Sequence, residues 1–387
     1  MKRKFLAMLT VGVLGIGMAL TGCGSSEEEQ TTSAEESGAA LDTAALEEEL
    51  AQYFDLGENY SVEGATEIDV KSTMAGKKLF ILPANYAVQF DEVTCSAMKD
   101  ICDNLGIESY IYTADGTVDS WVQGMETAVN QGYDAILAFS GVDMDLVSSQ
   151  VEYAEENGIP VIDCHFHDFA DQDSCTATYC LAADYEKFGR VIALRAIQSA
   201  GADGNYLIVT SQDLDASLAM EKGVESALSD YAPDAKYTYV NVNLADWATK
   251  MQTEVTNALN ADPTIDYVIS MYDSNSTYVT AAIEAVGATG TIKTSTYNGT
   301  PFALDLVNSG AVDADLGECL DLMAYCLLDQ TFRILDGQEP LEDENAPLVL
   351  WTSDNVEATI GEDGTAGFGG YDTSYISYYE ELWGVAE

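Results

Sequence analysis

Both histidines of the chain fall in one nine-residue stretch, VIDCHFHDF (161–169), with Asp163, Cys164 and Asp168 beside them. Imidazole, thiol and carboxylate are the groups from which metal sites, acid–base centres and polar binding rims are built. On an extended segment side chains alternate with a period of two, so His165 and His167 point to the same side as Asp163. An Asp-x-His-x-His comb of that kind can offer ligands to zinc. No further histidine exists in 387 residues, so a carboxylate or cysteine from another element would have to complete a metal set. The competing reading is the rim of a ligand cleft. There His165 offers one donor and one acceptor to hydroxyl groups, and His167 lies outside the contact shell. That second reading needs no metal and no other cofactor, and we take it as the expectation. Nothing marks an enzyme: the chain has no Gly-x-Ser-x-Gly elbow, no Walker loop, no dinucleotide fingerprint after the first strand and no His-Glu-x-x-His.

The elements that must position this stretch are legible as an alternation beginning at Lys77. Short apolar runs, LFILP (79–83), AILAF (135–139), IPVID (159–163), YLIVT (206–210) and YVISM (267–271), read as buried parallel strands. Between them apolar residues recur at helical spacing, as in Val93, Ala97, Ile101 and Leu105 before Gly106, and Trp121, Val122, Met125 and Val129 before Gly132. A glycine after the last periodic residue is a helix stop. Strand and helix alternating this often predict an α/β fold of doubly wound parallel sheets. One sheet of so many strands would be unusually wide, which divides the chain into two lobes. In such sheets ligands bind at the carboxyl ends of the strands.

The N-terminal residues bear on location. Lys2, Arg3 and Lys4 precede an uncharged run to Leu20 and the tetrad Leu20-Thr21-Gly22-Cys23. A basic flank and a short apolar core are the pattern of a secretory signal, here residues 1–22, and the core is short for a spanning helix. Residues 24–40, GSSEEEQTTSAEESGAA, carry no aromatic residue and several acids, the composition of a flexible tether. The formal net charge is −51, and without Lys2, Arg3 and Lys4 there are 12 basic residues against 66 acidic ones, or −54. Such a surface repels phosphate backbones, so nucleic acid is excluded as a partner. Seven cysteines follow Cys23, an odd number without framework spacing. Cys95 with Cys102, and Cys319 with Cys326, are each seven apart on predicted helices, where they serve as small apolar packing residues.

The tetrad ending in Cys23 resembles a bacterial lipobox, which implies lipidation of Cys23 and anchoring to the outer face of the cytoplasmic membrane. From Gly76 to Gly337 the chain resembles the type I periplasmic binding proteins, specifically the sugar-binding lipoproteins of bacterial ABC importers. The resemblance is carried by GYDAILAFSGVD (132–143), NGIPVID (157–163), MEKGVESAL (220–228), DPTIDYVISMYD (262–273) and YNGTPFAL (297–304). It implies two lobes joined by crossing strands with a ligand between them. The N-terminal lobe would span 76–184 plus 319–345 and the C-terminal lobe 185–318, after a helical extension (41–75) and before a C-terminal strand and extension (346–387). The extension's Tyr and Trp residues either pack a terminal helix on one lobe or extend the cleft rim.

The resemblance also implies a set of contact residues. Asn85 and Tyr86 follow the first strand, Phe90 opens the next helix, and Asp163 ends the fourth strand, with His165 close by. Trp247, Tyr272, Asp273 and Asn298 come from the second lobe, and Glu318 from the return crossing. Asp273 has an alternative role as the N-cap of the helix that follows. Aromatic faces suit the apolar faces of a sugar ring, and carboxylates and amides suit its hydroxyls. Two positions where the family commonly carries arginine are Met220 and Cys164 here. Losing both bidentate donors disfavours an anionic ligand and favours a neutral sugar or polyol, or a weakly cationic ligand. The implied output is delivery to ABC permease subunits by a monomeric carrier. A sensory lipoprotein that reports to a membrane receptor is the alternative, and a zinc-binding protein or enzyme built on Asp163, His165 and His167 is the third reading.

Overall fold

A computed structural model of the chain describes residues 42–54, 59–341, 344 and 346–386. The signal-like segment, Cys23 and most of the acidic tether lie outside the described residues. The described chain opens with α1 (Thr43–Ala51) and a one-turn helix, α2 (Val70–Thr73). It then alternates through β1 (Lys78–Pro83), α3 (Gln89–Leu105), β2 (Glu108–Ile111), α4 (Val118–Gln131), β3 (Ala135–Phe139), α5 (Ser148–Glu156), β4 (Val161–Asp168) and β5 (Tyr179–Ala183). A second series follows: α6 (Tyr185–Ala200), β6 (Asn205–Thr210), α7 (Asp215–Tyr231), β7 (Lys236–Asn241), α8 (Trp247–Ala261), β8 (Tyr267–Ser270), α9 (Ser276–Ala285), β9 (Lys293–Asn298), α10 (Pro301–Asn308) and β10 (Ala314–Glu318). The chain finishes with α11 (Leu320–Asp336), β11 (Leu348–Thr352) and α12 (Ser374–Leu382).

Among the described residues the strands form two sheets, in the orders β2-β1-β3-β4-β5 and β11-β10-β9-β8-β6-β7. All pairings are parallel except β10 with β11, which is antiparallel. The five apolar runs of the sequence are β1, β3, β4, β6 and β8, and their strand residues are buried almost throughout, as strands covered on both faces must be. Gly106 and Gly132 cap α3 and α4 in the left-handed conformation at φ 72° and 66°, so both helix stops fall where the sequence set them. The chain order reverses between β1 and β3 in the first sheet and between β6 and β8 in the second. These are the switch points at which loops diverge and leave a crevice.

Three segments pass between the sheets. β5 runs into α6, β10 runs into α11, which packs on α3, and the chain after α11 returns to β11. Glycine makes one close crossing possible. A Cβ on Gly189 would lie 2.0 Å from the Met220 carbonyl oxygen and one on Gly223 1.9 Å from that of Glu186, so α6 and α7 touch backbone to backbone. Met220 is wholly buried there.

The two ends of the described chain are laced together. Ile68 N–H donates to Leu382 O at 2.8 Å, Val70 N–H to Trp383 O at 3.3 Å, and the Tyr60 and Tyr379 hydroxyls are 2.9 Å apart. Here Tyr325 stacks on Tyr379 and Trp383, and Tyr375 meets it edge-on. Beneath them the buried Arg333 Nε donates to Asp329 Oδ2 at 2.6 Å and Trp383 Nε1 to Asp329 Oδ1 at 2.7 Å. The aromatic residues of the tail thus pack a terminal helix onto α11.

Candidate functional site

At the carboxyl ends of both sheets lies a cavity of about 30 Å3. Phe90, Asp91, Ser140 and His165 line it from the first sheet, and Trp247, Tyr272, Ser274 and Asn298 from the second. That volume holds about two water molecules. A second cavity, of about 260 Å3, adjoins it and shares Val88, Leu244, Trp247 and Ser274, with Asn85 on its wall. The inner cavity alone is too small for a sugar ring, whereas the outer one is large enough.

The cavity concentrates backbone strain. Among the described residues four that are not glycine have positive φ, and three of them, Ser140 (61°), His165 (59°) and Asn298 (141°), line it. Each ends a strand: β3, the regular part of β4, and β9. Such conformations cost on the order of 1–3 kcal/mol apiece and persist where the surroundings hold them, which is characteristic of binding and catalytic sites.

The turn at His165 reshapes the stretch that contains it. The β4–β5 register shifts between Cys164 and Asp168, so the period of two expected for Asp163, His165 and His167 fails at its middle member. His165 swings toward the cavity, against the rings of Phe90 and Tyr185 at centroid distances of 5.4 and 5.3 Å. Both ring nitrogens are engaged there: Nε2 lies 3.0 Å from Glu318 Oε2, and Nδ1 lies 2.6 Å from the Tyr185 hydroxyl. The expected donor and acceptor for a ligand are thus spent on the protein, and what His165 presents is its ring. His167 folds the other way, with Nδ1 2.7 Å from Asp163 Oδ2.

The set from the sequence is therefore brought together in part. Phe90, His165, Trp247, Tyr272 and Asn298 line the inner cavity and Asn85 the outer one. Tyr86 packs instead against the first-sheet core. Asp163 is wholly buried and absent from both cavity walls, because its strand position pairs it with Cys180 on β5 rather than exposing it at the strand end. Asp273 is also wholly buried, and its carboxylate accepts from Thr300 N–H (2.8 Å), Thr300 Oγ1 (2.6 Å) and Asn298 Nδ2 (3.1 Å). It ties the ends of β8 and β9 together. The expected N-cap is not formed, since α9 starts three residues later with Asn275 at its cap. Glu318 stands behind His165, accepts a hydrogen bond from Tyr297, and faces a cavity of about 400 Å3 among the crossing segments.

Sequence reasoning missed Asp91, Ser140, Tyr185 and Tyr297. Ser140-Gly141 directly after AILAF was a readable strand-end signal. Asp91, one residue past Phe90, offered none. Its carboxyl is buried, which pushes its pKa up to about 8, although the Asn85 N–H at 2.9 Å and Ser140 work against that shift. At neutral pH it is mostly the neutral acid, able to donate as well as accept. Burial also raises Asp163 and Asp273 to about 6, against the lowering bonds from His167 and Thr300 respectively. For His167 burial pulls the pKa down, but the bonds to Asp163 and Cys175 outweigh it and bring it to about 10.

The family described as "periplasmic binding protein domain" matches residues 79–339, a span that holds both sheets' parallel strands and every cavity residue named above. This chain belongs to the periplasmic binding protein family. Among its relatives is the D-xylose-binding periplasmic protein of Escherichia coli, 23% identical over 282 residues, which are 68% of this chain and 82% of the relative. The fold is similar to that of a periplasmic solute-binding protein of Actinobacillus succinogenes solved with bound D-allose, with a TM-score of 0.65 and 18% identity, covering 73% of this chain and 99% of the other. It is similar as well to a chain of the XylFII–LytSN complex, with a TM-score of 0.62 and 12% identity over 72% of this chain and 98% of the other. As a periplasmic binding protein the chain has the two-lobed α/β architecture expected of it, with the cavity where such folds carry their ligands.

Proposed function

We propose that this protein captures a small neutral sugar or polyol outside the cytoplasmic membrane and delivers it to the permease of an ABC importer. The observation that carries the reading is the inner cavity. Three strained strand ends converge there with the rings of Phe90, Trp247 and Tyr272 and the polar groups of Asp91 and Asn298. Trp247 is fixed in place by Nε1 donating to Ser211 Oγ at 2.7 Å, and Tyr272 by its hydroxyl 2.9 Å from that of Ser217. The two rings lie 5.5 Å apart and form one apolar wall, suited to the C–H face of a sugar. Among the described residues no arginine or lysine lines the inner cavity, and the neutral Asp91 suits a hydroxyl better than a cation or an anion. The sugars named for its relatives, D-xylose and D-allose, belong to the same class. The chain acts here as a binder that closes and reopens, without catalysis, and only the closed form presents both lobes together to a permease. The lipobox-like tetrad supports an anchor on Cys23, with the lobes held as a monomer at the outer membrane face.

A second reading has one observation in its favour: the likeness to a chain of the XylFII–LytSN complex. In that reading the same closure reports the sugar to a membrane receptor.

Thermal unfolding of the protein in a panel of monosaccharides, polyols, sugar phosphates and amino acids tests the proposal. A ligand at about one hundred times its dissociation constant adds roughly 2.7 kcal/mol. Stabilisation by a neutral sugar or polyol alone is expected. Stabilisation by sugar phosphates or amino acids with none by neutral carbohydrates would refute the assigned class.

A further inference from the structure

On the face of β4 away from His165, three backbone segments bring soft donors together. Asp163 and Cys180 are register partners on β4 and β5, so their side chains share a face. His167 is turned back over Asp163 by the left-handed turn at His165, and Cys175 approaches from the loop before β5. One ligand atom from each of the four lies within 4.8 Å of all the others. We propose that Asp163, His167, Cys175 and Cys180 hold a tetrahedral zinc ion.

The spacing fits that geometry. Zinc bonds of about 2.0–2.3 Å give a tetrahedron with edges of roughly 3.3–3.8 Å. Asp163 Oδ2 already stands 3.8 Å from both Cys175 Sγ and Cys180 Sγ. The edge from His167 Nδ1 to Asp163 Oδ2, 2.7 Å as a hydrogen bond, has to open by roughly 0.6 Å, and the remaining edges, all within 4.8 Å, settle to the same range as the ligands close on the ion. The other carboxylate oxygen, Oδ1, is buried with no hydrogen-bond partner in a wholly buried side chain, an uncompensated cost that a cation at this carboxylate offsets. Two thiolates with one imidazole and one carboxylate select zinc over the hard cations, which prefer six or more oxygens. All four positions are filled by protein, the pattern of a structural site.

This set differs from the Asp-x-His-x-His comb read from the sequence. His165 is excluded because its turn carries it to the opposite side, and the two cysteines replace it. The ion would pin the irregular end of β4 to β5, and β5 leads directly into Tyr185, whose hydroxyl holds His165. Metal and cleft would thereby share one bulge. The inference itself does not depend on the sugar-capture reading.

The test begins with the full-length chain, purified in detergent with a reductant and without chelator, and measures zinc by mass spectrometry. One equivalent per chain is expected, retained in His165→Ala and lost in the double variant Cys175→Ser, Cys180→Ser. Cobalt(II) exchanged into the unaltered protein should give the strong visible bands of a tetrahedral site and a near-ultraviolet sulfur-to-cobalt band, and His167→Gln should move the visible bands. Each of four results overturns the site: neither zinc nor cobalt binds the reduced protein, the double variant keeps its zinc, His167→Gln leaves the bands unmoved, or peptide mapping of the native protein finds Cys175 and Cys180 joined as a disulfide. The cobalt spectra decide the matter even if the double variant fails to fold.

Discussion

Replacing Asp91 by asparagine should flatten the decline of stability with rising pH. In the folded chain this carboxyl titrates at about 8, against roughly 3.9 for an unfolded aspartate. Between those values the folded chain holds a proton that the unfolded chain has released. The free energy of unfolding therefore falls as pH rises, by about 1.4 kcal/mol per unit for one such group. The penalty is nil below about pH 4 and levels off above about pH 8. From pH 5 to pH 7 it grows by about 2.7 kcal/mol, a large share of the roughly 5–15 kcal/mol that holds a domain folded. Asparagine matches the neutral acid in shape, keeps an acceptor for the Asn85 N–H and cannot ionise. Urea denaturation of both proteins at pH 5, 6 and 7 gives the two slopes. Asp163 and Asp273, raised to about 6, and Glu344, raised to about 9, contribute slopes of the same sign to both proteins and cancel in the difference. Asp91→Asn should gain about 2.7 kcal/mol on the unaltered chain between pH 5 and 7. Identical pH slopes would show that Asp91 is ionised in the folded state and that the cavity is wetter than its burial implies.

Gly223→Ala drives a methyl group into the Glu186 carbonyl and the Arg190 N–H across the α6–α7 crossing, and thermal unfolding should show a loss of about 3 kcal/mol or more. Asp329→Ala strands the buried Arg333 guanidinium and removes the acceptor of Trp383 Nε1; denaturant titration should register a loss of about 3–5 kcal/mol. Trp247→Ala removes one face of the cavity wall, and calorimetry with whichever sugar stabilises the protein should show affinity at least tenfold weaker, about 1.4 kcal/mol.

Much of this architecture was legible because hydrophobic period reports burial directly. LFILP and AILAF are apolar on both faces, and their alternation with helical stretches places strands of that kind between helix layers. The helix stops at Gly106 and Gly132 were readable from a local conformational need. The geometry of VIDCHFHDF was not. Its outcome turns on one residue, His165, adopting a left-handed backbone that nothing in a histidine's type demands, and that single torsion decides which of three candidate ligands face which side. Cys175 and Cys180 could not be joined to Asp163 without knowing that β5 pairs with β4 at a register setting Cys180 opposite Asp163. Trp247 and Tyr272 were placed through the family resemblance rather than from their own types, while Asp91 hid behind the general abundance of acids.

The lacing of Tyr60, Ile68 and Val70 to α12 also has a kinetic side. Tyr60 N–H donates to Ser374 Oγ across 314 positions of sequence, and closing a loop of that length costs on the order of 5 kcal/mol in chain entropy before any contact repays it. The first-sheet core contains Leu79, Ile81 and Phe139 together with Tyr379 and Trp383. It cannot be completed until Trp383 has been synthesised, so nascent chains should remain loose in this lobe through most of translation while β6 to β9, with their shorter closures, assemble sooner. A lobe whose core closes only when α12 docks therefore stays unlocked longest in a chain made from its N-terminus onward.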